Sequence, residues 1–293
     1  MSDVAAMRGP IRWLDRSGLG LLSPALLVLL AVFVAPLLFL VPTSLHPYVP
    51  GQGIGPEWTL KNYTDILGDA FYLQIIGRTL ALGLIVVAAT LVIGYPLAYF
   101  LARTRSPLRP WLIILVVFPL LLNLVVRSFG WIVLLANRGL INDWLISAGM
   151  IDKPIKLLFN FTGLLIGLSH IFLPFMVLVL IGTIQNIPRD VENAALTLGA
   201  TRREVFTKVT LPLSLPGVLS GSILVFVLTI SALVTPRLLG GPTYQVMSTL
   251  IFDEFLKILN WPRGAAMAFI LTAIVLLLVW ASGKLTAYLA TSR

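Results

Sequence analysis

Six times along this 293-residue sequence an apolar stretch of about twenty residues recurs, and no other feature restricts its fold so much. The stretches lie near residues 21–42, 76–101, 111–135, 161–184, 216–236 and 264–288. A helix of that length reaches roughly 30 Å, the thickness of a bilayer's hydrocarbon core. With 58% of residues hydrophobic, 11% charged and a mean hydropathy of +0.97, a water-soluble fold of this size could not bury the surplus. Backbone in lipid must satisfy its own hydrogen bonds, so the expected fold class is an all-α integral membrane protein with six transmembrane helices. The expected organisation is a cytoplasmic tail over 1–20, a six-span domain over 21–288 and a short C-terminal tail over 289–293.

An even number of crossings puts both termini on one side, and the basic residues choose which. Arg8, Arg12 and Arg16 precede the first span, Arg103, Arg105 and Arg109 fill the turn between spans two and three, and Arg189, Arg202, Arg203 and Lys208 lie between spans four and five. These regions are expected to be cytoplasmic. The opposite loops also hold Lys61, Lys153, Lys156 and Lys257, beside acids such as Glu57, Asp65, Asp69 and Asp152, so orientation rests on basic density at span ends. The formal charge of +9 therefore serves to orient helices against an anionic leaflet rather than to bind nucleic acid. Leu21–Val41 is too long for a signal-peptide core and lacks a small-residue cleavage site, so it reads as an uncleaved first span. Thr43–Tyr72 opens on Pro47, Pro50, Gly51, Gly53, Gly55 and Pro56 and reads as a surface loop, whereas 139–158 reads as a short external helix stopped by Gly149.

Between the fourth and fifth spans, residues 187–217 decompose into two short helices. Pro188 suits a first helical position, Asp190 and Glu192 complement the positive end of the helix dipole, and Gly199 can adopt the left-handed conformation that ends it. Glu192, Ala195 and Gly199 share one face, small apart from a single carboxylate, as a knob entering a protein groove should be. Thr201 and Glu204 then form a capping box, with Val205, Phe206 and Val209 as an apolar stripe opposite Arg202, Thr207 and Lys208. The second helix is expected to lie along the membrane surface or against the bundle, with Pro212 and Pro216 punctuating the return to span five.

This loop resembles the E-A-A…G loop of permease subunits of type I ABC importers. Glu192, Ala194, Ala195, Gly199, Ala200, Phe206, Leu211, Pro212, Pro216 and Gly217 match that pattern, and Asn193 replaces its first alanine. Further stretches, V-V-R-S-F-G-W at 125–131, M-I-D-K-P-I-K at 150–156, I-F-L-P-F-M-V at 171–177 and N-W-P-R-G-A-A at 260–266, are similar to the polyamine (spermidine/putrescine) branch. The resemblance implies a non-catalytic permease in a bacterial inner membrane. Its implied partners are a second, different permease chain, two ATP-binding subunits docking on the 187–217 loop and a binding protein on the outer face. It implies no cofactor on this chain, ATP and Mg being bound by the partner ATPase. Opines, aminophosphonates and other small anionic or zwitterionic solutes are the alternative cargo.

The rest of the sequence agrees by exclusion. No G-x-x-x-x-G-K-[ST] motif occurs, so P-loop hydrolysis is not available to this chain. Zero cysteines exclude thiolate chemistry, and two separated histidines, His46 and His170, make a multi-histidine metal site untenable. A stand-alone secondary transporter is the competing class, but it would carry ionisable groups at mid-membrane, and these spans are nearly free of acids. The residues that could line a pathway are Arg127, Trp131, Asp143, His170, Asp253 and Glu254. Arg127 is expected to snorkel to the outer interface, His170 to make a satisfied hydrogen bond, and Asp253 and Glu254 to be solvated acids at the outer mouth.

Overall fold

A computed structural model describes residues 16–291 of the chain. Arg8 and Arg12 of the expected tail, and residues 292–293, lie outside the described residues. Helix α1 (Arg16–Leu29) begins before the expected first span and continues through a π-helical turn, Leu30–Val34, into α2 (Ala35–Ser44). Among the described residues, six apolar segments are long enough to cross a membrane: Leu22–Ser44, Ala70–Arg103, Leu124–Ser147, Phe161–Gln185, Arg202–Ser231 and Trp261–Lys284.

The 43–72 segment is more than the expected surface loop. It holds a two-stranded antiparallel hairpin, β1 (Tyr48–Val49) and β2 (Gly53–Ile54), turned by Gly51 and Gly53 at φ 84° and 85°. A helix follows, α3 (Lys61–Gly68). The proline and glycine residues are spent on the hairpin, which leaves the later residues free to fold. Ile66 of α3 is fully buried, and the Asn62 amide donates to the carbonyls of Ser44 and His46, tying α3 to the end of the first span.

The second span is α4 (Ala70–Arg103), longer at both ends than expected because Asp69 caps it by accepting from the Phe71 amide. The third expected span, 111–135, is split into α5 (Arg109–Leu121) and α6 (Leu124–Leu135). Leu122 is extended and the Asn123 side chain accepts from the Val125 amide at 2.8 Å, so a polar N-cap four residues past Pro119 restarts the helix. The short helix expected within 139–158 appears as α7 (Leu140–Ser147), ended by Gly149 at φ 69°. Then come α8 (Phe161–Gln185), α9 (Arg189–Thr197), α10 (Arg202–Val205), α11 (Leu211–Ser231), α12 (Met247–Leu256) and α13 (Trp261–Thr291).

The second loop helix packs against the bundle, one of its two expected placements: Val205 is buried, and α10 runs through a π-helical turn, Phe206–Thr210, directly into α11. Pro212 falls in the first turn of α11, where its missing N–H costs little, and Pro216 is carried inside the helix. Span five consequently starts well before the expected residue 216 and stops at Ser231, not 236, because Ala232 is extended.

The core is the α4, α8 and α11 trio. Leu82, Val86 and Ala98 of α4 meet Leu168, Met176, Leu180 and Ile184 of α8, with Val225 of α11 closing the cluster. The helices approach closely because small residues sit at the crossings: a Cβ on Gly83 would come within 2.8 Å of the Phe226 ring. A second cluster joins Ile66, Ile75 and Ile76 to Met247 and Leu250 of α12 and Met267 and Ile270 of α13.

Candidate functional site

At the end of the bundle where α4 stops and α10 begins, a polar hub forms around Arg103. Its Nη2 lies 2.7 Å from Glu192 Oε1, with each side chain 13% exposed, and Nη1 and Nη2 both donate to the Ile187 carbonyl at 3.2 Å. Thr210 Oγ1 donates to the same Glu192 oxygen at 2.8 Å. Arg189 Nη2 returns a bond to the Arg103 carbonyl at 3.0 Å. Helix α9 is thus fastened to the last turn of α4 and to the helix entering span five.

The local folding signals of the loop act largely as the sequence demands. Asp190 and Glu192 occupy the first turn of α9, and Gly199 takes φ 86° just beyond its end. Pro188 is the N-cap rather than the first helical residue. Both capping-box bonds form: Thr201 Oγ1 accepts from the Glu204 amide and Glu204 Oε2 accepts from the Thr201 amide. Val205 is buried and Phe206 half-buried, packed edge-on against Tyr95 and Tyr99 with ring centroids 5.8 and 5.3 Å away, while Arg202, Thr207 and Lys208 are exposed.

The face that α9 presents outward is not the one expected. Glu192 and Ala195 turn toward the bundle, because the carboxylate is drawn to Arg103 and Thr210. Val191, Ala194 and Leu198, spaced i, i+3 and i+7, form the exposed face, with Leu198 89% exposed. Asn193 is exposed and Ala200 half-buried. Sequence reasoning did not find Arg103, Thr210 or the outward Val191–Leu198 face: Arg103 and Glu192 are 89 residues apart, and no spacing rule links them.

The pathway candidates separate into three places. Trp131 Nε1 donates to His170 Nδ1 at 3.2 Å, with the rings edge-on at 5.4 Å, so the satisfied hydrogen bond expected of His170 is present. Arg127, one turn before Trp131 on α6, does not snorkel freely: its Nε and Nη1 are buried without a hydrogen-bond partner, as is Ser169 Oγ beside His170. Asp143 stands apart, exposed in the first turn of α7.

Asp253 and Glu254 are not free acids at a mouth. Asp253 pairs with Arg237 at 2.9 Å and Lys257 at 3.1 Å, and the Arg237 guanidinium also lies 4.2 Å from the centre of the Phe252 ring. Glu254 is 3% exposed, with Oε1 3.7 Å from Arg263 Nη1 and Oε2 unpartnered. Burial pushes its carboxyl up from the ordinary carboxylate range, and Arg263 offsets this only in part. Among the described residues no three His, Asp or Glu side chains converge as a metal site would require.

Comparison with known proteins places this arrangement. Residues 90–290 match the family described as the inner membrane component of binding-protein-dependent transport systems. The spermidine/putrescine transport system permease protein PotB of Escherichia coli strain K12 is 34% identical over 261 residues, 88% of this chain and 94% of that protein. The protein of the same name from Haemophilus influenzae is 34% identical over 222 residues, covering 76% of this chain and 77% of its own. Among solved structures, a chain of a bacterial ABC transporter involved in the import of the acidic polysaccharide alginate has the same fold. Its TM-score is 0.75 at 18% identity, over 92% of this chain and 94% of that one. A chain of the MetNI methionine ABC transporter in an inward-facing conformation aligns at a TM-score of 0.57 and 16% identity, over 74% of this chain and 95% of that one. A six-span bundle with its loop helix fastened beneath spans two and five is therefore a permease, and the chain belongs to the inner membrane components of binding-protein-dependent ABC importers.

Proposed function

We propose that this permease passes a polyamine of the spermidine/putrescine type, delivered by a binding protein on the outer face and driven by ATPases docked on the 187–217 loop. The observation that carries the cargo is the 34% identity that extends over 94% of the Escherichia coli spermidine/putrescine permease. The complex comprises this chain, a second and different permease, two ATP-binding subunits that hold ATP and Mg, and the binding protein. Both termini face the cytoplasm, in line with the basic density at Arg103, Arg105, Arg109, Arg189 and Arg202. ATP hydrolysis belongs to the partner, since no P-loop motif occurs in this sequence.

Coupling runs through α9. Its apolar outer face, Val191, Ala194 and Leu198, enters a cleft of the ATPase, and the Arg103–Glu192–Thr210 hub carries the stroke into α4 and α11. Leu198→Asp should leave the chain in the membrane and abolish co-purification of the ATPase; an undiminished ATPase yield would sink this role.

One observation favours a second reading of the cargo. Arg127 holds two buried, unpartnered nitrogens within the bundle, and such a charge suits an anionic or zwitterionic solute such as an opine or an aminophosphonate. Reconstituted complex with its binding protein decides between them. Spermidine or putrescine should stimulate ATP hydrolysis; stimulation by an opine and none by polyamines would overturn the first reading.

A further inference from the structure

A cavity of about 340 Å³ opens between the end of α4, the inner face of α9 and the start of α10. Its charged lining is one-sided: Arg103, Arg105, Arg189 and Arg202 surround it, and Glu192 is the single carboxylate. That carboxylate is already engaged by Arg103 at 2.7 Å. Among the described residues, Arg105, Arg189 and Arg202 form no ion pair with any acid. Three uncompensated guanidinium groups around one cavity repel one another, and an anion seated among them would relieve that repulsion.

The position of the cavity identifies the anion. Arg103 is the last residue of the second apolar segment and Arg202 the first of the fifth, so the cavity lies at the adjoining ends of two helices long enough to cross a membrane. The remaining wall is Asn193 together with the apolar and aromatic Tyr99, Leu196 and Val205, which suits the glycerol and upper acyl region below a phosphate. The volume exceeds that of a few waters, each of which takes roughly 30 Å³ in the liquid. Arginine's planar fork matches phosphate oxygens two at a time. The ATPase-facing surface of α9 lies on the other side of the helix: Arg189, Glu192, Asn193 and Leu196 face the cavity, whereas Val191, Ala194 and Leu198 face away.

We infer that this pocket binds the phosphate headgroup of an anionic phospholipid, clamping the loop helix to the leaflet through Arg105, Arg189 and Arg202. A lipid seated there would brace α9 from behind while its opposite face meets a partner. The inference depends on the position of the cavity and on its charge, not on the cargo or on the ATPase reading.

The test uses the full chain, purified and delipidated in detergent, and native mass spectrometry with added phosphatidylglycerol or phosphatidylcholine. Phosphatidylglycerol should be retained in preference to phosphatidylcholine. The triple variant Arg105→Gln, Arg189→Gln, Arg202→Gln should weaken that retention by roughly a hundredfold, given the contribution of each basic residue near a charged leaflet. Arg203→Gln, on the same helix but outside the cavity, should retain the lipid. Circular dichroism keeps the result interpretable, because a triple variant that has lost its helices is replaced by the three single variants, each of which should show a partial loss. Equal retention of the two lipids, or retention unchanged in the variants, overturns the inference. Displacement of the lipid by millimolar inorganic phosphate would show a free-phosphate site instead, and loss of a co-purifying ATPase with lipid binding intact would show a protein-docking site; both overturn it.

Discussion

A carboxylate whose side chain is only 13% exposed needs hydrogen-bonding or charged partners to replace lost water, and Glu192 has two, Arg103 and Thr210. Removing one partner of a mostly buried pair leaves the other charge stranded. Glu192→Gln and Arg103→Gln should each destabilise the chain by about 2 kcal/mol, below the range for fully buried pairs because both groups retain some solvent. The double variant should cost less than the sum. Additive losses of melting temperature in detergent would show that the two residues do not act together.

Glu254 obeys a different rule at the same scale. Its carboxyl holds a proton more tightly folded than unfolded, because burial outweighs Arg263. Such a group stabilises the fold fully at low pH and loses that contribution as pH rises from the ordinary carboxylate range through its raised folded value. Melting of the wild type should therefore fall relative to Glu254→Gln as pH is taken from about 4 to about 7. A difference that stays constant over that interval would contradict the assignment.

At the scale of elements, glycines report where helices touch. Gly217 of α11 lies against α8, and a Cβ there would fall on the Thr183 side chain, so Gly217→Val should cost about 1–3 kcal/mol through overpacking. Gly77 of α4 faces open space, and Gly77→Ala should stabilise by up to about 1 kcal/mol. Thermal melts of the two variants check both signs, and equal effects would mean that the α8–α11 crossing is not tight. Elements are also where sequence reading erred in instructive ways. Asn123 and Pro119 together split the third span, yet each alone is tolerated in helices, and apolar counting does not register a side-chain cap. Pro212 and Pro216 were expected to punctuate the return to span five, but one occupies a first turn and the other is carried within a long helix.

At the scale of the molecule, the basic span ends predict one sidedness. The sequence contains no cysteine, so single replacements can be labelled without background. In intact cells a membrane-impermeant maleimide should reach Gln52→Cys in the hairpin turn and not Pro107→Cys in the turn between α4 and α5; the reverse pattern would invert the orientation. The first span is consistent with a lipid-facing position, since Leu26, Val32 and Phe33 are exposed while the α4, α8 and α11 trio holds the core. A surface so apolar needs lipid or another chain to cover it.

What the sequence determined by itself was everything carried by local repetition and local chemistry. Six apolar lengths set the class, basic residues at their ends suggested the orientation, and Asp190, Gly199, Thr201 and Glu204 marked the loop helices almost to the residue. Caps and left-handed turns are settled within four or five residues, so a linear reading reaches them. Tertiary structure alone decided which face of α9 points outward, that Arg103 meets Glu192 across 89 residues, and that four arginines share one cavity. Those outcomes depend on how α4, α9 and α11 pack together, and a pairing between distant helices leaves no periodic trace in the sequence of either one.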